Sequence, residues 1–175
     1  MTWTAPDVEV PRPPNVADER TSLETWLDHQ RATLLHKCSG LTAEQLKLRS
    51  VEPSSLSLLG LVRHMAEVEQ WWFRRNFAGI AGLTDLYCTE ASPDGDFEDI
   101  AEADAEQDWA TFLEECEQAR KTAAGRSLDD TFKHPRRGVD MDLRWVYVHM
   151  IEEYARHNGH ADLIRERIDG VVEGP

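Results

Sequence analysis

Four residues with metal-binding and acid–base chemistry recur at helical spacing near the C-terminus: His149, Glu153, His157 and His160. An α-helix advances about 100° per residue, so these side chains would share one stripe spanning roughly 80° of its surface. Three apolar residues fall on the same stripe and predict that it faces the core: Val146, Met150 and Ile164. Because buried polar groups are costly unless they are paired or bind a metal, the pattern predicts one wall of an internal metal site.

A metal at this stripe would need a ligand from a second helix. Residues four apart on a helix are neighbours, so Glu153 and His157 can both reach one ion from the same wall. His64 is the candidate third ligand, because the second long predicted helix carries a single histidine near its inner stripe. Two imidazoles and one carboxylate suit Zn²⁺, and also Ni²⁺, Fe²⁺ or Mn²⁺. Three protein ligands leave a coordination position open, which is typical of a catalytic metal.

Helical spacing alone does not choose among the pairs His149–Glu153, Glu153–His157 and Glu153–His160. A histidine that does not bind the metal could orient a ligand or shuttle protons. The alternative without a metal is a satisfied polar core, in which Glu153 pairs with Arg156 or an imidazolium and the histidines are hydrogen-bonded. The clustering of several polar groups on one stripe favours the metal.

Four long helices would position these residues, and no stretch shows convincing strand alternation. They are predicted at about 21–39, 57–78, 105–124 and 143–168, with a short capped turn at 41–46. Thr21 is the expected N-cap of the first helix, and Asp140 or Asp142 that of the last. The expected inner stripe of the third helix consists of Trp109, Phe112, Leu113, Cys116, Ala119 and Ala123.

The remaining segments are predicted to be irregular. The proline-rich residues 1–18 predict an N-terminal tail, lying over the domain or disordered, ahead of a single domain at 19–175. An acidic run within 79–103 lacks the spacing of a calcium loop and predicts a solvated crossover connection. Its length indicates that the second and third helices do not form a simple hairpin. The basic segment 134–138 could close over an acidic ligand, although a solvated loop is the simpler interpretation.

The composition narrows the possible partners and compartments. Lys and Arg number 19 against 33 Asp and Glu, and the resulting net charge of -14 argues against nucleic acid or an anionic membrane as partner. No stretch approaches the roughly 18 apolar residues of a membrane-spanning helix, and the N-terminus lacks the order of a signal peptide, so a cytoplasmic protein is expected. Cys38, Cys88 and Cys116 are far apart and predict reduced thiols, with Cys38 and Cys116 in the core.

Three segments resemble the DinB/YfiT-like superfamily of metal-dependent enzymes: Arg63-His64-Met65, Glu69-Gln70-Trp71-Trp72 and Leu143–Asp162. The resemblance covers most of the chain from the first helix to Gly170. It implies an all-α four-helix bundle in up-down-down-up order, with a long loop between helices 2 and 3, that often forms homodimers. In many members a His-Arg-Gly-Gln segment stands where this chain has His157-Asn158-Gly159-His160.

That alignment implies His64, Glu153 and His157 as the metal ligands. The glutamate in place of a histidine resembles the mycothiol-dependent maleylpyruvate isomerase branch. His160 then replaces a glutamine, and it is assigned with His149 and Arg156 to catalysis around the metal.

The resemblance also implies thiol chemistry on a small-molecule substrate. A metal, with zinc favoured, would activate a low-molecular-weight thiol such as mycothiol or bacillithiol in an S-transferase or isomerase. Two alternatives stay open at this stage. One is a metal-dependent hydrolase that uses metal-bound water, and the other is a non-catalytic stress-response bundle.

Overall fold

The protein is described here by a computed structural model that covers residues 3–172. Its elements in chain order are α1 (Glu19–Cys38), α2 (Ala43–Leu46), α3 (Leu58–Glu69) with a π-helical continuation (Gln70–Phe77), α4 (Gly95–Glu98), α5 (Ala105–Ala123), β1 (Thr131–Lys133), β2 (Asp140–Asp142) and α6 (Leu143–Asp169). Helix α1 packs chiefly against α6, and α3 packs chiefly against α5. The mostly helical chain confirms the all-α class, whereas the up-down-down-up order stays a prediction.

The two helices that carry the candidate ligands have well-defined ends. Ser57 is the N-cap of α3, where its hydroxyl accepts a hydrogen bond from the Gly60 N–H at 3.0 Å. Asp142, one of the two predicted caps, accepts from the Trp145 N–H at 2.7 Å at the start of α6. Gly170 ends α6 with a φ of 78°, a left-handed conformation that favours glycine.

Helix α1 begins earlier than the sequence pattern predicts. Asp18 is its N-cap, and the Asp18 carboxylate accepts hydrogen bonds from both the backbone N–H and the hydroxyl of Thr21. The prediction of Thr21 as N-cap is therefore wrong. An aspartate caps a helix at least as well as a threonine, and its charge also interacts favourably with the N-terminal end of the helix dipole.

A buried polar network ties three helices together at the centre of the bundle. Arg31 of α1 donates from Nε and Nη2 to both oxygens of Glu69 in α3, at 2.7 and 2.6 Å. The Tyr154 hydroxyl of α6 donates to Glu69 Oε1 at 2.8 Å. Glu69 and Tyr154 are fully buried. The Arg31–Glu69 ion pair is therefore a structural connection of the core, where leaving either charge unpaired would be costly.

Two local predictions about the remaining elements are wrong. The sequence pattern predicts Leu113 on the inner stripe of α5, but Leu113 is 47 % exposed. A two-stranded antiparallel sheet, with Phe132 opposite Met141, occupies part of the segment predicted to be a loop. Strands of three residues are too short to show an alternating pattern in sequence.

The N-terminal residues lie against the domain. The Ala5 N–H donates to the Leu41 carbonyl at 2.9 Å, and the Gly40 N–H donates to the Ala5 carbonyl at 3.0 Å. Trp3 packs edge-on against Trp109 with ring centroids 6.0 Å apart. Among the described residues no helix is both long and apolar enough to cross a membrane.

Candidate metal centre

The ligand cluster, His64, Glu153 and His157, is assembled from α3 and α6. One ligand atom from each of these residues lies within 4.8 Å of the others. The rings of His64 and His157 meet edge to face, with centroids 4.8 Å apart. Each of the three side chains is half-buried. The structure therefore brings together the three residues that the family resemblance implies, with two from one helix and one from the facing helix.

The polar stripe of α6 lies at the edge of the core and not at its centre. Its fully buried neighbours include Met150, Tyr154 and Ala161, whereas Glu153 is 20 % and His157 12 % exposed at the side chain. The stripe is therefore only partly inward-facing, in contrast to the prediction of an internal wall. A position at the edge keeps the cluster accessible to a small molecule from solvent.

Asp96 orients His64. Its carboxylate Oδ2 lies 2.7 Å from His64 Nδ1, and the carboxylate is almost completely buried. With Nδ1 held by the carboxylate, Nε2 is the nitrogen left to bind a metal, an arrangement that recurs at histidine-ligated metals. Asp96 belongs to the acidic run that was predicted to be solvated, and for this residue that prediction is wrong.

Arg63 holds the loop that carries Asp96. Its guanidinium donates to the carbonyls of Asp96 and Gly95 at 3.1 and 2.9 Å and to the Asp108 carboxylate at 3.0 Å. The Arg63 guanidinium also lies 4.0 Å from the centre of the Tyr87 ring. Asp96 therefore reaches His64 from a loop that is anchored to both α3 and α5.

Neither ring nitrogen of His157 makes a hydrogen bond in the described structure. Its Nδ1 is buried without a partner, and its Nε2 lies 3.6 Å from Glu153 Oε2, beyond hydrogen-bond range. Burial, reinforced by the neighbouring His64 and His160, lowers the pKa of His157 from 6.5 to about 4. A neutral imidazole with free nitrogens beside a carboxylate and a second imidazole fits the donor set of a divalent metal.

The other predicted catalytic residues occupy different positions around the cluster. The His160 ring packs edge-on against His157 at 5.4 Å, and its Nδ1 is buried without a partner in the described structure. His149 stacks on Trp145 at 4.7 Å and lies with Nε2 3.5 Å from Glu153 Oε1. The structure thus brings both histidines next to the ligand cluster.

Arg156 is directed away from the cluster. Its side chain is 61 % exposed and its guanidinium pairs with Glu152 and not with Glu153. Glu152 also forms a second potential metal group with His149 and Glu153. That group contains an exposed carboxylate already paired with an arginine, and all three of its members come from α6, so the cluster with His64 is the better candidate.

A cleft of about 680 Å³ adjoins the cluster at His64. Glu153 and His157 do not line it, so His64 is where the cleft and the ligand cluster meet. Its main lining residues are Glu67, Val68, Trp71 and Arg75 on the helical side, Cys88, Asp94, Asp96 and Phe97 on the loop side, and Arg136 from the β1–β2 connection. The cleft is large enough for a small organic substrate.

The cysteine of the cleft is a poor nucleophile at neutral pH. Burial raises the pKa of the Cys88 thiol to about 12. The same cause raises the pKa of Cys38 to about 12 and that of Cys116 well above its ordinary value, and all three thiols are free. Because the thiolate is the reactive form, these raised pKa values disfavour the three cysteines as nucleophiles at neutral pH.

Comparison with known proteins identifies the family of the chain. The family model for mycothiol-S-transferase matches residues 22–170, which include every element from α2 to α6 and most of α1. Searches of curated proteins and of solved structures gave no match. The matched region contains the ligand cluster, the cleft and Asp96. The chain therefore belongs to the mycothiol-S-transferase family, a DinB/YfiT-like family, which confirms the resemblance seen in the sequence.

Proposed function

We propose that this protein is a metal-dependent S-transferase that joins the sulfur of mycothiol to a small electrophile. The family match supports the thiol and the transfer reaction. The ligand cluster supports the metal, with zinc as the first candidate and nickel, manganese or iron as alternatives. The observation that carries the metal in this proposal is the grouping of His64, Glu153 and His157, in which His157 Nδ1 is buried without a partner among residues 3–172.

The chain would contribute binding, orientation and proton transfer. A divalent metal held by His64, Glu153 and His157 would supply Lewis acidity that lowers the pKa of a thiol in its open coordination position. Asp96 holds His64 at Nδ1, so that Nε2 is the nitrogen that would bind the metal. We assign to His160, whose Nδ1 has no partner in the described structure, the role of accepting the thiol proton.

In the proposed transfer, one carbon–sulfur bond forms as the bond between the same carbon and its leaving group breaks. The sulfur forms a bond to an electrophilic carbon of a molecule held in the cleft, and the thiol proton passes to His160. The bond between that carbon and its leaving group breaks, and the leaving group departs with the electron pair. No oxidant or reductant is required.

The test is transfer by metal-free and zinc-reconstituted protein, with mycothiol and a benzyl halide as substrates and the thioether measured by mass spectrometry. Reconstituted protein should form the thioether above the spontaneous rate, and metal-free protein should not. His64→Ala should remain inactive after reconstitution, because it lacks one ligand. His29→Ala is the matched control, since His29 lies on α1, bonds the Pro11 carbonyl and is not a member of the ligand cluster.

Two outcomes would contradict the proposal. Full transfer by metal-free protein would show that the metal is not needed. Turnover of an ester substrate without any thiol, lost in His64→Ala, would identify a metal-dependent hydrolase instead.

A further inference from the structure

We propose that Arg136, placed over Trp71, forms a subsite for a carboxylate on the electrophile, so that the protein prefers anionic electrophiles to neutral ones. The inference deepens the proposed function and rests on it for the identity of the bound molecule. Arg136 and Trp71 both line the cleft that ends at His64. A substrate anchored at Arg136 could therefore extend toward the ligand cluster.

The β1–β2 turn is built to hold Arg136 in place. The buried His134 ring accepts at Nδ1 from the backbone N–H groups of Arg136 and Arg137, at 3.1 and 3.2 Å. The Gly138 N–H closes the turn on the His134 carbonyl at 2.8 Å. The His134 ring packs edge-on against Trp72 at 5.7 Å. These contacts attach the basic segment to the helix that lines the cleft.

The Arg136 guanidinium is available to a ligand. It lies 4.9 Å from the centre of the Trp71 ring, a cation–π contact that leaves its N–H groups free. None of the ion pairs within residues 3–172 includes Arg136. Arg75 also lies near Trp71, but it is bound to Asp85 at 2.7 Å and to the Leu83 carbonyl at 3.0 Å. Arg136 is thus the cation of the cleft with unused donors.

The exposed negative charges of the cleft lie on its loop side, whereas Arg136 supplies a positive charge from the β1–β2 connection. Three of its carboxylates have internal partners: Glu67 accepts backbone N–H groups of the loop, Asp85 pairs with Arg75, and Asp96 pairs with His64. Glu90 and Asp94 line the loop side and are exposed. They would repel an anion on that side and could accept hydrogen bonds from the hydroxyls of a sugar thiol. An anionic group is therefore best accommodated at Arg136, where the planar guanidinium can bind a carboxylate through two hydrogen bonds.

The test compares two benzyl halides that differ only in a ring carboxylate. Arg136→Ala should raise KM for the carboxylated halide by about tenfold and leave kcat and the neutral halide unchanged. Arg137→Ala is the matched control, because Arg137 follows in the same turn but does not line the cleft. Equal effects on the two halides, or an equal effect of both variants, would overturn the subsite.

A binding measurement keeps this inference separate from the proposed function. Titration calorimetry of metal-free protein with benzoate and benzamide needs no transfer activity and avoids binding of the carboxylate to a metal. Wild type should bind benzoate about tenfold more tightly than benzamide, and Arg136→Ala should lose that preference. A preference for benzoate in a protein without transferase activity would support the Arg136 subsite and contradict the proposed S-transfer reaction. No preference in wild type would reject the subsite, whatever the activity.

Discussion

At the scale of single residues, the contact between Asp96 and His64 would decide how His64 is oriented toward a metal at the proposed centre. A carboxylate bonded to Nδ1 fixes both the tautomer and the rotation of an imidazole ligand. Asp96 is itself held by the Phe97 N–H, which donates to Oδ1 at 3.0 Å. The proposed centre would therefore depend on α4 and the connection that carries it as well as on the two helices that carry the candidate ligands.

Replacing Asp96 should weaken metal binding without unfolding the protein. We expect Asp96→Asn to lower zinc affinity by about 10- to 100-fold, because the amide cannot stabilise the imidazole as a carboxylate does. Competition with a chromogenic zinc chelator measures this affinity directly. Asp94→Asn, an exposed change two residues away, serves as the control. Equal affinity of Asp96→Asn and wild type would mean that the contact does not act on the metal site.

The lowered pKa of His157 predicts an acid-sensitive metal-free protein. Its folded pKa of about 4 lies below its ordinary value of 6.5, so the unfolded chain binds this proton more readily. The stability linked to His157 is complete above pH 6.5 and is lost as the pH falls toward 4. The slope is at most about 1.4 kcal/mol per pH unit.

Urea unfolding of metal-free protein at pH 7, 5.5 and 4.5 measures this slope. His157→Gln cannot take up the proton, so its stability should fall less than that of wild type over the same range. Parallel losses for the two proteins would show that His157 does not carry the effect.

The residues of the site were predictable from sequence to different degrees. Helical spacing offered Glu153 and His157 as one of three possible pairs, and the single histidine of the second helix made His64 the candidate third ligand, but the family resemblance was required to choose the pair Glu153–His157. Asp96 was missed, because it lies 32 positions from His64 and among other acidic residues. Only the fold brings it to the histidine.

At the scale of elements, the buried Arg31–Glu69 pair joins α1 to α3, and Glu69 also accepts from Tyr154, the residue after Glu153. Breaking such a pair leaves an uncompensated charge in the core. Glu69→Ala should therefore reduce the free energy of unfolding by about 3–5 kcal/mol. Glu152→Ala, which removes an exposed pair with Arg156, should cost about 1 kcal/mol or less. Chemical denaturation of both variants makes the comparison, and similar losses would contradict the structural role of Glu69.

The long helices were predictable because their apolar spacing persists over many turns. The π-helical winding of 70–77 was not, because the apolar residues there also fit an ordinary helix. The hairpin was missed because its strands are short, and this concealed how Arg136 reaches the cleft. Local sequence patterns thus predicted the long helices that carry the candidate ligands better than the β1–β2 hairpin that carries Arg136.

At the scale of the whole molecule, we expect Trp3 and Ala5 to unfold together with the helical domain, as one cooperative unit. Trp3 packs against Trp109 of α5, and Ala5 bonds the turn after α1. We expect Trp3→Ala to reduce the free energy of unfolding by about 1–3 kcal/mol. Val16→Ala, at a residue that is 92 % exposed, should change it by less than about 0.5 kcal/mol. If thermal unfolding of Trp3→Ala matched wild type, the segment would not belong to that unit.

The most direct test of the central claim is the metal content of the purified protein. Protein made without a metal-binding tag would be analysed by mass spectrometry as wild type, His64→Ala and His157→Ala, with His29→Ala as control. We predict about one divalent ion per chain in wild type and His29→Ala, and its loss from both cluster variants. No metal in wild type after reconstitution with zinc, nickel and manganese, or metal retained in both cluster variants, would contradict a centre formed by His64, Glu153 and His157.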